Sequence, residues 1–159
     1  MKNHIVQDTN AFENQITILD FFHRIIIFKS LLILTKLFSG KDIRSIGSGN
    51  IGATNVLRAG NKYLAVATLF LDAIKGFIPA ALTQSFFPEY LLLSSLVVLL
   101  GHIFPIWLNF KGGKGVATYL GILFAFSYGL GFLFIFVWIV VSLIFKYSSV
   151  SSMFSSFTV

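Results

Sequence analysis

Long apolar runs, each about the length of a membrane helix, alternate with short polar segments along this chain. Residues 63–87, 90–110 and 116–145 form three such runs. A helix that crosses the hydrocarbon core needs about 20 apolar residues, so the first two runs each predict one spanning helix. The third run is too long for one upright helix, and glycines weaken its middle. We favour two short tilted helices that meet near residues 127–131 over one long tilted helix.

The two ends of the chain are more polar than its middle. Residues 1–15 predict a polar tail without the pattern of a secretory signal peptide. Residues 16–38 are apolar but carry ionisable side chains all around the helix, so an interfacial helix and a poor spanning helix fit them equally. Residues 148–159 are too short and too rich in serine to span, and they predict a second tail. The membrane domain is therefore expected to cover residues 16–147.

The composition agrees with a membrane protein. The chain has 159 residues, 56% of them hydrophobic and 11% charged, and its mean hydropathy is +0.85. An ordinary soluble domain is only about 45–50% apolar. We predict an all-α membrane protein, a polytopic bundle of about four to five membrane helices. Because cysteine is absent and no histidines are arranged as ligands, we predict neither a metal nor a cofactor.

The net charge of +6 is concentrated in the breaks between the apolar runs. Basic residues between spans are typical of the cytoplasmic loops of membrane proteins. We therefore expect membrane lipid as a partner and no nucleic acid. Two breaks hold the candidate chemistry: residues 47–58, called segment A, and residues 111–115, called segment B. Two spans separate them, so we expect both on the cytoplasmic side of a bacterial inner membrane.

Segment A reads Gly-Ser-Gly-Asn-Ile-Gly-Ala-Thr-Asn-Val-Leu-Arg. Its three glycines allow backbone N–H groups to converge on an anion, and Arg58 adds a planar cation suited to phosphate. A lipid-headgroup contact is the alternative for that arginine. The segment formally matches the dinucleotide-binding pattern, but no strand precedes it and a membrane span follows, so we reject that fold.

Segment B reads Lys-Gly-Gly-Lys-Gly and is also suited to phosphate. It differs from a nucleotide-binding P-loop because Gly115 stands where serine or threonine should bind magnesium, and Leu108 where the first glycine should stand. The alternative is a basic turn that anchors the bundle to anionic lipid. Three glycines interleaved with two lysines exceed what such anchoring requires, which favours phosphate binding.

Three ionisable residues fall inside the predicted spans. Asp72 and Lys75 are three residues apart and share one helix face. Because charge is costly there, the pair either holds the structure together or shapes the site, and both readings stay open. His102 is predicted to be a hydrogen-bonded interior histidine near mid-span, about two turns from segment B, and not a general base.

Two longer stretches resemble a known family. Residues 41–62 read Lys-Asp-Ile-Arg-Ser-Ile-Gly-Ser-Gly-Asn-Ile-Gly-Ala-Thr-Asn-Val-Leu-Arg-Ala-Gly-Asn-Lys, and residues 101–118 read Gly-His-Ile-Phe-Pro-Ile-Trp-Leu-Asn-Phe-Lys-Gly-Gly-Lys-Gly-Val-Ala-Thr. They resemble two signatures of the bacterial acyl-phosphate:glycerol-3-phosphate acyltransferases, the PlsY family, and residues 71–76 continue the similarity. The resemblance implies transfer of a fatty acyl group from acyl phosphate to the 1-hydroxyl of sn-glycerol 3-phosphate, which yields lysophosphatidic acid.

The resemblance also implies roles for single residues. Ser48, Arg58 and Lys114 are predicted to be catalytic. From their place inside the spans, and not from the resemblance, we add Asp72, Lys75 and His102 as candidate support for the site. The remaining residues are predicted to shape the two segments and bind substrate: Gly49, Asn50, Gly52, Asn55, Lys111, Gly112, Gly113 and Gly115. Because neither segment holds a base, we expect a substrate phosphate oxygen to take the hydroxyl proton, while the two cations stabilise charge.

The chain departs from the family pattern at both ends. Residues 25–34 lack the Gly-Ser-Ile-Pro-like patch of the usual first helix, and nothing after Ser149 supplies the third signature with its His and Asn. We therefore expect a truncated and impaired or inactive enzyme, or one that a partner completes. The alternatives are a non-enzymatic remnant and a membrane transporter or binding module for organic phosphates.

Overall fold

The computed structural model describes residues 45, 47, 49–105, 109–110 and 112–159. This part of the chain is built from helices, and the all-α prediction is confirmed. The helices are α1 (Ala53–Arg58), α2 (Lys62–Phe86), α3 (Leu91–Ile103), α4 (Val116–Phe126), α5 (Tyr128–Phe145) and α6 (Ser148–Thr158), with a 3-10 turn (Pro88–Tyr90) between α2 and α3. The candidate helix at residues 16–38 lies outside the described residues, so the total number of membrane helices stays a prediction.

Two of these helices, α2 and α5, are long and apolar enough to cross a membrane, and two shorter apolar helices accompany them, Pro88–Ile103 and Val116–Phe126. Large apolar side chains such as Phe70, Leu92 and Phe136 lie on the outside, whereas Thr68 and Thr118 are buried. An apolar exterior around a partly polar interior is the distribution expected when lipid is the solvent.

Helices α2 and α4 pack most extensively, because small residues stand where they cross. A Cβ at Gly76 would overlap the backbone carbonyl of Thr118, and one at Gly121 would overlap that of Ala73. Each helix thus brings a glycine against the backbone of the other, which is a common way to pack membrane helices closely. This crossing fixes the start of α4, and with it the end of segment B, relative to α2.

Helix α3 ends earlier than the sequence predicted. The predicted span covered residues 90–110, but the helix stops at Ile103. Pro105 lacks an N–H and disfavours a helical conformation at the preceding residue. The N–H groups of Gly112 and Gly113 bond to the carbonyls of Ile103 and His102, both at 3.2 Å. Segment B therefore satisfies carbonyls that the helix end would otherwise leave without a partner.

The long third run is broken as predicted. Helix α4 ends at Phe126 and α5 begins at Tyr128, with Ser127 extended between them. The Ser127 hydroxyl accepts a hydrogen bond from the Gly129 N–H at 3.2 Å and so caps α5. Beyond the break, a Cβ at Gly131 would overlap the Phe124 ring, so a small residue is needed where α4 and α5 turn past each other.

The segment predicted as a serine-rich tail contains a helix, α6, that packs along α5. Ser151 and Ser155 are fully buried between these helices. Their hydroxyls donate to the carbonyls four residues earlier, at 2.9 and 2.7 Å. Because each hydroxyl is satisfied within its own helix, a row of serines can pack closely against an apolar neighbour. Serine content alone does not show where the hydroxyls bond, and the division of the chain after residue 147 into a membrane domain and a tail stays a prediction.

Candidate functional site

A cavity of about 790 Å³ is lined by segment A, α1, α2, the end of α3, the start of α4, α5 and α6. Its polar lining consists of the side chains Asn50, Thr54, Asn55, Arg58, Asp72, His102 and Lys114, with hydroxyls from α6. The apolar lining includes Leu69, Leu120, Phe134, Ile135, Trp138, Ile139, Met153 and Phe157. We call this second set of residues the apolar arm. The cavity offers groups for an anion and for a hydrocarbon chain.

Segment A turns tightly into the short helix α1. Gly47 and Gly49 both have positive φ, +58° and +68°, which disfavours any residue with a Cβ. A Cβ at Gly47 would also overlap the side-chain oxygen of Asn55, which is buried. The Gly52 carbonyl accepts from Asn55 N–H at 2.9 Å and so begins α1. Arg58, in the last turn of this helix, lines the cavity.

Segment B also contributes to this cavity. Gly115 has a φ of +75° and is the N-cap of α4. Both Gly115 and Lys114 line the cavity, and Lys114 Nζ donates a hydrogen bond to Ser149 Oγ at 2.8 Å. Residues about fifty positions apart in sequence thereby line one cavity. The two cations, Arg58 and Lys114, make that cavity suitable for phosphate.

Asp72, Lys75 and His102 form a cluster beside segment B, in which Asp72 and His102 are buried and Lys75 is half-buried. Asp72 Oδ1 accepts a hydrogen bond from Lys75 Nζ at 2.5 Å and lies 3.8 Å from His102 Nδ1. The ion pair belongs to one helix, so it does not join two helices by itself. The predicted position of His102 is wrong, since it lies in the last turn of α3 and its carbonyl bonds directly to Gly113. The early end of α3 explains this difference.

The structure brings most of the predicted site residues together. Those that line the cavity are Asn50, Gly52, Asn55, Arg58, Asp72, His102, Lys114 and Gly115. Four other described candidates do not line it: Gly49, Lys75, Gly112 and Gly113. The N–H groups of Gly112 and Gly113 point to the end of α3 instead. Ser48 and Lys111 lie outside the described residues, so their roles stay predictions.

Helix α6 supplies cavity residues that sequence reasoning missed. Ser148, Ser152 and Ser156 recur at intervals of four, and Ser149 contacts Lys114. Trp138 of α5 lines the apolar arm and donates from its indole N–H to Ser152 Oγ at 3.2 Å. The four-residue spacing of the serines is a helical signal that could have indicated a polar helix face.

These features define a class of protein: a helical membrane protein with a cavity that combines two cations and an apolar arm. The family profile described as glycerol-3-phosphate acyltransferase matches residues 25–159, and the chain belongs to that family. Among the curated relatives, the glycerol-3-phosphate acyltransferase of Pelagibacter ubique (strain HTCC1062) is 58% identical over 127 residues, covering 80% of this chain and 66% of the relative. That of Wolbachia pipientis wMel is 52% identical over 125 residues, covering 77% of this chain and 65% of the relative.

Two solved structures have the same fold. Both are crystal structures of PlsY (YgiH), described as an integral membrane glycerol 3-phosphate acyltransferase. The glycerol 3-phosphate form has a TM-score of 0.76 and 39% identity, covering 86% of this chain and 72% of the other. The lysophosphatidic acid form has a TM-score of 0.81 and 37% identity, with coverages of 90% and 72%. The chain spans slightly less than two thirds of the length of the curated relatives named above, 66% and 65%.

Proposed function

We propose that this protein transfers a fatty acyl group from acyl phosphate to the 1-hydroxyl of sn-glycerol 3-phosphate, at the cytoplasmic face of a bacterial inner membrane. The observation that carries this proposal is the shared cavity, which is lined by Arg58, by Lys114 and by the apolar arm. Both substrates carry a phosphate and one carries a long hydrocarbon chain. Family membership and the ligands named for the two PlsY structures support the same reaction.

The reaction needs little covalent chemistry from the protein. The 1-hydroxyl oxygen attacks the acyl carbonyl carbon, an ester C–O bond forms, and the C–O bond to the phosphate group breaks. Inorganic phosphate leaves, and the hydroxyl proton goes to a substrate phosphate oxygen. Because acyl phosphate is already a reactive anhydride, holding the two substrates in contact supplies much of the rate. No metal or cofactor takes part in this scheme.

Arg58 and Lys114 have the electrostatic role. A guanidinium can bind a phosphate through two parallel hydrogen bonds, whereas an ammonium acts as a compact point charge. Because both line the same cavity, they are proposed to hold the two phosphates near each other and to stabilise the negative charge that develops as the phosphate leaves. The apolar arm holds the acyl chain away from water, and Ser48 is proposed to act beside Arg58 in segment A.

The test is a direct assay of product. The protein is purified in detergent and supplied with palmitoyl phosphate and radiolabelled glycerol 3-phosphate, and lysophosphatidic acid is measured. Arg58→Ala and Lys114→Ala are each expected to lower kcat/KM by about 10²-fold or more, as for loss of a charge-stabilising group. Lys146→Ala is the matched control, because Lys146 is exposed at the end of α5 and does not line the cavity.

The rival functions give different results in this experiment. A non-enzymatic remnant forms no product and binds neither substrate. A transporter or binding module for organic phosphates binds glycerol 3-phosphate without forming product, and a transporter moves it into sealed vesicles. Turnover that persists unchanged in Arg58→Ala would contradict the electrostatic role assigned to that residue.

A further inference from the structure

An ion pair lies inside α2 at a depth where charge is costly. Asp72 stands ten positions after the first residue of this helix, roughly 15 Å along its axis. Its carboxylate is buried and accepts a hydrogen bond from Lys75. Ionised side chains within a membrane segment usually mark a polar interior with a function. Because both partners belong to α2, their pairing alone does not explain why the carboxylate faces the cavity.

His102 faces the same carboxylate from α3. Its Nδ1 lies 3.8 Å from Asp72 Oδ1, and the side chain is only 5% exposed. Within the described part of the chain, Nδ1 has no hydrogen-bond partner. A buried ring nitrogen normally has one. The carboxylate is roughly 1 Å beyond hydrogen-bond distance and is therefore placed to serve as that partner.

The opposite side of the His102 ring meets segment B. A Cβ at Gly113 would overlap His102 Nε2. The Gly113 N–H also donates to the His102 carbonyl at 3.2 Å. The ring and the carbonyl of His102 thus hold Gly113 in place, and Gly113 immediately precedes Lys114. The lysine continues from there into the cavity, where it contacts Ser149.

We propose that Asp72 and His102 are positioning residues for Lys114. The carboxylate orients the imidazole through Nδ1, and the ring sets the place of Gly113 and so of the lysine that follows. Lys75 balances the charge of Asp72 within the span. This inference rests on the proposed function in one respect: Lys114 is taken to hold a substrate phosphate.

The chain offers a matched control for loosened packing of α2 against α3. Thr83 of α2 and Ser94 of α3 are joined by a hydrogen bond of 3.0 Å between their hydroxyl oxygens, and neither lines the cavity. Thr83→Val removes this link with little change of volume. Any effect that comes only from a weaker contact between the two helices should therefore appear in Thr83→Val as well.

Two changes remove the positioning contacts. Asp72→Asn combined with Lys75→Met removes the carboxylate without leaving an unpaired lysine in the span. His102→Ala removes the ring, and His102→Asn retains a side-chain amide in place of the ring nitrogen. Because the natural chain has no cysteine, each change is also made together with Lys114→Cys, so that the rate of maleimide labelling reports the position of residue 114 without any need for activity.

The expected result has two parts. The labelling rate at position 114 changes by about threefold or more in the double variant and in His102→Ala, but not in Thr83→Val. In the chain that retains Lys114, kcat/KM falls on the order of 10-fold to 100-fold, since a shift of about 1 Å in a positioned group can cost that much. His102→Asn keeps more activity than His102→Ala, and thermal unfolding temperatures match that of Thr83→Val.

The outcomes separate this inference from the proposed function. Labelling rates equal to that of Thr83→Val overturn the inference, whatever the activity. So does a loss of kcat/KM that Thr83→Val reproduces in full. If the natural chain forms no lysophosphatidic acid, the proposed function fails, yet the labelling rates still decide whether Asp72 and His102 position residue 114.

Discussion

At the scale of single residues, the proposed site contains two cations of different chemistry, Arg58 and Lys114. Arg58 ends a six-residue helix that begins after Gly52, and Lys114 precedes the glycine that caps α4. Both stand at helix termini, so their backbones are fixed while their side chains reach the cavity. The guanidinium of Arg58 and the ammonium of Lys114 are not equivalent, because only the guanidinium can bind a phosphate through two parallel hydrogen bonds.

Arg58→Lys tests this difference. The charge is kept but the two parallel hydrogen bonds are lost, so we expect kcat/KM to fall about 10-fold to 100-fold, less than in Arg58→Ala. The measurement is steady-state formation of lysophosphatidic acid. Lys62→Arg, an equally conservative change at the exposed start of α2, is the control and should leave the rate unchanged. Full activity of Arg58→Lys would mean that charge alone suffices at this position.

At the scale of helices, the crossing of α2 and α4 is the contact on which the cavity depends. Glycines allow the two backbones to touch, and each glycine meets a carbonyl of the other helix. In a membrane, close packing of this kind replaces the hydrophobic effect as a source of stability. The crossing also sets where α4 begins, and therefore where Gly115 and Lys114 stand.

Gly121→Ala is expected to destabilise the protein, because the added methyl group would overlap the carbonyl of Ala73 and force the helices apart. Overpacking of this kind costs about 1–3 kcal/mol. Gly129→Ala is the matched control, since its Cβ would meet nothing closer than the Ser127 hydroxyl at 3.5 Å. Thermal unfolding in detergent, followed by circular dichroism, should show a lower midpoint for Gly121→Ala alone. Equal midpoints would contradict the role of the crossing.

Across the molecule as a whole, different elements supply polar and apolar side chains to one cavity. Segments A and B supply polar residues, whereas α4, α5 and α6 supply most of the apolar arm. The large apolar side chains outside, such as Leu143 and Phe132, face what would be lipid. An acyl chain could then pass from the bilayer into the arm without crossing water.

Leu120→Trp is expected to shorten the arm, since Leu120 is one of its lining residues. The loss should be larger for long acyl phosphates than for short ones, because each buried methylene contributes about 0.8 kcal/mol. We expect the ratio of kcat/KM for a sixteen-carbon over an eight-carbon acyl phosphate to fall at least about tenfold, with the KM for glycerol 3-phosphate unchanged. Leu92→Trp, on the exposed outside of α3, should leave the ratio as it is. A uniform loss for both chain lengths would place the acyl group elsewhere.

The orientation of the cavity in the membrane is open to a direct test. The single-cysteine variants are Thr54→Cys and Lys114→Cys, which line the cavity, and Glu89→Cys, in the turn that joins α2 to α3. If the cavity faces the cytoplasm, a membrane-impermeant maleimide added to the outside of intact inner membranes should label the thiol at position 89 and spare the other two. Labelling at position 54 or 114 from outside would contradict the proposed orientation.

Some features could be predicted from the order of residues alone: the helical class, the break at Ser127, and the choice of Arg58 and Lys114 as candidates, which line one cavity. Their binding of phosphate stays a prediction. Runs of apolar residues and clusters of glycine are local features, and local features can be read without knowing which parts of the chain meet. The early end of α3 at Ile103 has a local signal in Pro105, which the prediction of a span over residues 90–110 overlooked. The contact of His102 with Gly113 could not be predicted in this way, because it joins residues eleven positions apart.

The same distinction holds for α6. Its serine content led to the prediction of a tail, because hydroxyls are polar. Within a helix, however, each serine hydroxyl can bond to a carbonyl of its own helix and so pack against an apolar partner. Whether it does so depends on α5 being there to cover it. Periodicity along the chain determines which helices can form, whereas the closeness of backbones at Gly76 and Gly121 decides which of them enclose a site.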